Sequence, residues 1–558
     1  MSGSCPILVH DNGLRVKHNA SVPDAYLRFK KLMKGHMKSI LNIRLRWMTG
    51  LLFFVAGTAP LTMTRAAEET PTVLAVAACD SFAEIREQCA WLGGLIGFPV
   101  LGGLPDTYAM MATGGKGLQG LDTTRPIGVV VSAQEDAAVI HGFLPATDAK
   151  VLIETFADIP FRGMVDMIEA GEWVVLTPQG QPVTMDQPLD MLTSITSYLS
   201  VGVKVFPSRL PETLKDSLLD SAEQSLGSAE DPIPQQFYFA LPLPDVFDEE
   251  TVRKSVAQTE ALLFGLAIEK KTDRIFLESR TIFTEEGTAG AFWSRAGEVK
   301  PRLSLPSQVG QYAMQLQIAQ SLNDATQLKD LEEGLLGGLK QIKPAQLGAF
   351  IQKVSAIVLP QILGSGAFEL VGGVAPPDNV EGEQTLPSVG VGIGIADGNA
   401  LVEQLKGLVT EADAIPANIS VEFDVAEDEG FSFHDIVMMP LGRVTLAISE
   451  KCIYAMTRFT ADEREYKAVS SEPTSGFQPI AAATVQLESL FDGVAGLPPE
   501  MSIIVEDIKP RGELNLLIRP ITRGLAIRLT ADGEAVQTGA ALGTRASALM
   551  PRNTVIGD

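Results

Sequence analysis

Residues 138–156 read AVIHGFLPATDAKVLIETF, and this run holds the unit from which the chain is built. The apolar stretch 138–144 reads as a short strand, Thr147 as a cap, and 149–156 as a helix with apolar residues at helical spacing. The same order recurs along the chain. It is met at 72–78 with a helix over 81–95, and at 199–206 with a helix over 212–226. It returns at 312–319 with 325–339, at 389–395 with 400–409 behind Asp397 and Asn399, and at 480–487 with 488–494.

Between these units lie four pairs of strand-like runs that meet at turn-forming residues. They are 164–168 with 173–177, 266–270 with 274–283, 420–425 with 431–438, and 514–519 with 526–530. Gly, Asp and Asn suit such reversals because they tolerate the backbone angles that tight turns demand. Strands joined this way, without strict alternation with helices, predict an α+β fold. Its sheets are expected to be largely antiparallel, with helices packed on one face. Offsets between the halves are about 240 for the first strand–helix unit, about 248 for 142–156 against 390–405, about 280 for the units at 200 and 480, and about 249 for the last hairpins. This drift implies a first-half extra at 235–262. Two related tandem halves, an internal duplication, are therefore expected at 67–300 and 301–535. The join is placed near 285–310, an insertion near 420–440, and a loose tail at 536–558.

The clearest compartment signal is N-terminal. Within the extension 1–66, Lys38, Arg44 and Arg46 precede the apolar stretch 48–61, and Thr64-Arg65-Ala66 provides a cleavage site. That stretch is shorter than the roughly 20 helical residues needed to span a membrane, so it reads as a cleavable signal peptide. Residues 1–36 exceed what its basic region needs, which leaves Met33, Met37 and Met48 as alternative starts to Met1. No stable membrane span is expected after cleavage. The secreted or periplasmic remainder, within the cell envelope, would carry 34 basic against 66 acidic residues. So acidic a chain repels phosphate backbones, and nucleic acid is not an expected partner.

A resemblance enters here. CDSFAEIREQCAWLGGL (79–95), GLQGLDTTRPIGVVV (117–131) and HGFLPATDAKVLIETF (141–156) resemble a group of exported proteins of planctomycete-type bacteria. Those proteins share a GLD-x-x-RP-x-G-x-V-V segment followed by GF-x-P-x-x-D. The resemblance covers mainly 70–285 and implies a secreted or envelope setting. It implies no activity and carries no functional residue.

Motifs for chemistry fail one by one. Gly115-Lys116 would need Gly at 110 and Ser or Thr at 117 for a phosphate-binding loop, where Met110 and Gly117 stand. Gly390, Gly392 and Gly394 alternate, but a dinucleotide fingerprint needs a further glycine where Ile395 and Asp397 sit. Close approach of a helix or a neighbouring backbone is the expected reason for them. The acidic run 424–430 fails as a calcium loop, because Val425 and Ile436 fall on ligand positions. Two histidines remain beyond the leader, His141 and His434, and the neighbour Asp435 would point to the opposite face of its strand. Asp122 reads as a turn residue able to cap the turn or to pair with Arg125.

Ser81 and Glu84 form a capping box, which places Cys79 and Cys89 on the order of 12–15 Å apart, beyond the ~7 Å reach of a disulfide. Buried free thiols are expected. No catalytic, cofactor-binding or metal-ligating residue is therefore singled out, and no cofactor is expected. The leading expectation is a non-enzymatic envelope or extracellular interaction module with an unidentified protein partner. One alternative is a carrier of a lipid or other apolar ligand, suggested by the apolar set between Leu335 and Leu363. A second is a carboxylate-dependent hydrolase with a sheltered acid pair.

Overall fold

A computed structural model describes residues 72–549 apart from several stretches, the longest being 158–164, 216–256, 304–311, 322–344, 377–387 and 458–478. All described residues belong to one compact unit. The leader 48–61 and the helices expected at 325–339 and over all but Lys215 of 212–226 lie outside the described residues.

The strands, in chain order, are β1 (Thr72–Ser81), β2 (Pro126–Gln134), β3 (Ala137–Pro145), β4 (Val165–Ala170), β5 (Trp173–Pro178), β6 (Val201–Val205), β7 (Thr259–Glu269), β8 (Arg274–Phe283) and β9 (Met314–Ser321). There follow β10 (Ala367–Ala375), β11 (Ser388–Gly394), β12 (Ile419–Asp428), β13 (Phe431–Met438), β14 (Gly442–Ile448), β15 (Cys452–Thr457), β16 (Ala481–Gln486), β17 (Glu513–Ile521) and β18 (Gly524–Asp532). Every pairing is antiparallel. Across the sheet the order is β4-β5-β3-β2-β1-β6-β7-β8-β18-β17-β16-β9-β10-β11-β15-β14-β13-β12. The fold is thus α+β on a largely antiparallel sheet.

The sheet does not break at residue 300. β8 pairs with β18 from Arg274↔Asp532 to Ile282↔Gly524. Outward from that seam, β8-β7-β6-β1-β2-β3-β5-β4 on one side matches β18-β17-β16-β9-β10-β11-β15-β14 on the other. The surplus hairpin β12–β13 falls where an insertion near 420–440 was expected.

The expected hairpins form, with turns fixed by residues at positive φ: Gly171, Asp273, Gly430 and Arg523. In the last hairpin the turn is tighter than 520–524, since Pro520 lies in β17 and Gly524 in β18.

The helices are α1 (Phe82–Leu95), α2 (Leu104–Ala112), α3 (Ala149–Thr155), α4 (Leu189–Thr196), α5 (Thr288–Ala296), α6 (Ala345–Leu363), α7 (Gly398–Thr410), α8 (Leu487–Asp492), α9 (Pro499–Ile508) and α10 (Gly533–Leu549). Asp148, not Thr147, caps α3: its carboxylate accepts from the Lys150 and Val151 N–H groups at 3.1 Å each. Such a cap contributes about 1 kcal/mol. α10 covers 536–549 of the expected loose tail, while 550–558 lie outside the described residues; it is anchored by Thr538, whose hydroxyl bonds both to the N–H and to the carbonyl of Arg511.

The expectation of helices on one face is corrected. Val175 packs in one cluster with Leu192 and Ile195 of α4, while its neighbour Val174 packs in another with Ala149 and Leu152 of α3. Adjacent strand residues point oppositely, so these helices cover opposite faces. Cover on both faces explains why Trp173, Val174 and Val175 are all buried. In the second half, Leu370 joins Leu401 and Leu405 of α7 on one face, while Val371 joins Phe433 and Tyr454 on the other.

Candidate functional site

The site is built from α1 outward. The Ser81 hydroxyl accepts the Glu84 N–H at 3.2 Å and starts the helix; this is one half of the expected capping box, and the Glu84 carboxylate meets Lys270 at 2.8 Å. From that start Phe82, Ile85 and Cys89 fall on one stripe, at helical spacing. The chain then turns through a short 3-10 segment, Pro99–Gly103, and re-enters a helix at α2. Leu104, Tyr108 and Ala112 of α2 repeat every four residues and approach the α1 stripe. Ile127 of β2 and Leu144 of β3 complete the walls from the sheet, and Phe156 closes one side at the end of α3.

Together these residues line an apolar cavity of about 540 Å³ that is broadly open to solvent, with a volume in the usual range for a bound small molecule. A second cavity of about 390 Å³ shares Phe82, Ala109 and Leu118 with it but is lined also by Arg86, Asp106 and Thr123. Around both, large apolar side chains stay in solvent: Phe98 is 54% exposed, Val100 62%, Tyr108 65% and Met111 71%.

The residues tested for chemistry lie elsewhere. His141 is buried on β3. His434 is buried on β13, where its Nδ1 accepts the Asp424 N–H at 3.0 Å and its Nε2 meets the Ser432 hydroxyl at 3.0 Å. Asp435 points away from it, as expected, and accepts from the Thr445 hydroxyl at 2.7 Å. Lys116 follows α2 and reaches the Glu154 carbonyl at 3.2 Å. Asp122 folds back on the Thr124 N–H and hydroxyl instead of pairing with Arg125, which bonds Glu172 at 2.9 Å and stacks on Trp173.

Cys79, Cys89 and Cys452 are free thiols, Cys452 buried as expected but Cys79 and Cys89 only partly, and burial pushes the Cys79 and Cys452 thiols up. The alternate glycines serve packing. A Cβ on Gly392 would lie 2.4 Å from the Tyr454 ring, and one on Gly373 would lie 2.3 Å from Tyr312. Aromatic rings occupy the space beside Gly392 and Gly373, and the Glu369 side chain lies beside Gly394. The run 424–430 is the end of β12 and its turn, with Asp424 bonded to Lys406 at 2.8 Å. The apolar set in 335–363 divides. Leu335, Leu336 and Leu339 lie outside the described residues, while Val354, Ile357, Val358 and Ile362 of α6 pack into the core beside α7.

The acids Asp80 and Glu278, whose pKa values are displaced, stand outside both cavities. Asp80 is pushed up to about 6, chiefly by burial, and accepts from Gln88 at 3.3 Å. Burial pushes Glu278 up, but Arg280 and Arg528 outweigh it and the net direction is down. Among the described residues no group of three His, Cys, Asp or Glu is placed to hold a metal ion. No helix among them is long and apolar enough to cross a membrane.

Fold and lining together describe an α+β protein with an apolar groove beside α1 and α2. No protein-family model, curated protein or solved structure matches the chain.

Proposed function

We propose that this chain is an exported, non-enzymatic binding protein that carries a lipid or other apolar ligand in the cavity between α1, α2 and the sheet. The observation that carries this reading is the apolar cavity with its exposed apolar rim. At ~0.8 kcal/mol per buried CH₂, a chain of about ten methylenes gains ~8 kcal/mol, the scale of a micromolar Kd before ordering losses. The leader 48–61 and the resemblance to exported planctomycete-type proteins support a secreted or periplasmic setting. The interaction-module reading shares that setting, and the rim residues could equally meet a protein; the adjoining cavity favours a ligand. The hydrolase reading gains nothing, because it needs a pair of acids and Asp106 is the single carboxylate among the described residues lining either cavity.

The two halves are read as a tandem duplication, supported by the matching strand order on either side of the β8–β18 seam. The carrier reading is tested with N-phenyl-1-naphthylamine, a dye that fluoresces in apolar surroundings. Saturable uptake at one dye per chain, lost in Ala112→Trp, supports it. A flat titration overturns it. Mass spectrometry of the native chain tests export: a start downstream of residue 61 is expected, and a retained leader contradicts it.

A further inference from the structure

We infer that the ligand is a single-chain carboxylic acid, its chain in the apolar cavity and its carboxylate held in the smaller one by Arg86. The inference rests on the carrier reading above and adds the chemistry of the head group. The two cavities adjoin, sharing Phe82, Ala109 and Leu118, yet differ in character: one wall set is apolar and the other brings charge. A ligand filling both has an apolar chain and a polar end, which is an amphiphile. Arg86 sits one helical turn from Phe82 on α1, so one helix face presents the apolar wall and then the cation.

Nearby cations are already engaged. Lys270 bridges Glu84 and Glu87 at 2.8 and 2.7 Å, and Arg125 bonds Glu172. Among the described residues no carboxylate lies within ion-pair distance of Arg86, which leaves its fork of donors for an incoming oxyanion. Asp106 on the other wall selects among anions. It lies in the first turn of α2, where the helix dipole offsets part of its charge, but it still repels a second negative charge. A singly charged carboxylate suits a chamber with one cation and one anion better than a dianionic phosphate. The size of the apolar cavity suits one acyl chain.

The test is competition for the same dye on the full chain as purified, using palmitate, hexadecanol and hexadecyl phosphate below their aggregation limits. Palmitate is expected to bind about tenfold more tightly than hexadecanol, the scale of one charge-assisted contact. Arg86→Gln should bring that ratio near one while leaving hexadecanol affinity unchanged, and Arg86→Lys should restore part of it. Arg86 is exposed, and an unchanged circular dichroism spectrum would verify that each variant folds. Equal affinity for acid and alcohol, a preference that survives Arg86→Gln, or tighter binding of the phosphate each overturns the inference. In those three cases the carrier reading stands. Failure of every ligand, and of the dye itself, removes both.

Discussion

Glu278 of β8 and Arg528 of β18 face each other across the seam, 250 residues apart in the chain and joined side chain to side chain. With β8 overlaid on β18 at that offset, the two occupy equivalent positions, so their rung is where the two matching strand orders meet. The Glu278 side chain is 1% exposed and is held also by Arg280. Arg528 stacks on Phe276 and Arg280 on Tyr198, at 4.1 and 4.4 Å from the ring centroids. A buried carboxylate with two guanidiniums stabilises little by itself, but removing one partner strands the others.

Glu278→Ala is therefore expected to lower unfolding free energy by about 3 kcal/mol. Its net pKa is lowered, so its contribution is present above the ordinary carboxylate range and disappears as pH falls through the folded value. Urea unfolding measures both. A loss under about 1 kcal/mol would mean that the seam does not depend on this cluster.

Asp80 acts with the opposite sign. Its folded pKa of about 6 stands above the ordinary 3.8, so the folded state holds the proton more tightly. Its stabilising effect is full below 3.8 and is lost as pH rises through about 6. Asp80→Asn should raise the urea midpoint at about pH 7 and flatten its slope between those two values. An unaltered slope would show that Asp80 ionises normally.

His434 should sense acid. Burial lowers its pKa, Asp424 opposes that, and Lys406 adds to it. Protonating Nδ1 would break its bond from the Asp424 N–H. Because the folded value lies below the ordinary 6.5, stability is expected to fall as pH drops through that value. Hydrogen exchange should then quicken first in β12 and β13. Uniform exchange across the sheet would argue against a local effect.

Two glycines should respond oppositely to alanine. Gly392→Ala forces a Cβ to 2.4 Å from the Tyr454 ring and should destabilise by about 1–3 kcal/mol. Gly94, inside α1, has nothing within 4 Å of the added carbon, so Gly94→Ala should stabilise by roughly 0.5–1 kcal/mol. Thermal unfolding separates the two, and shifts of the same sign would refute this packing account.

Hairpins and most strand–helix units were legible because turn residues and two-residue alternation are local properties. Asp273 and Gly430 announce their reversals by residue type, but Arg523 adopts positive φ only because β17 and β18 pair on both sides of it. α10 was hidden because its sequence, GEAVQTGAALGTRASAL, is mostly small residues with a weak apolar stripe. The cavity was illegible for a different reason. Its walls come from α1, α2, β2, β3 and the end of α3, each wall residue passes for ordinary core, and α2 follows a Gly- and Pro-rich turn that obscures its period. The apolar density that drew notice, in α6, is core instead.

Native mass spectrometry of the chain purified from its own host tests the central claim most directly. A mass excess of one small molecule per chain is expected, removed by organic extraction and absent from Ala112→Trp. A bare-chain mass that stays bare after incubation with palmitate would contradict the account.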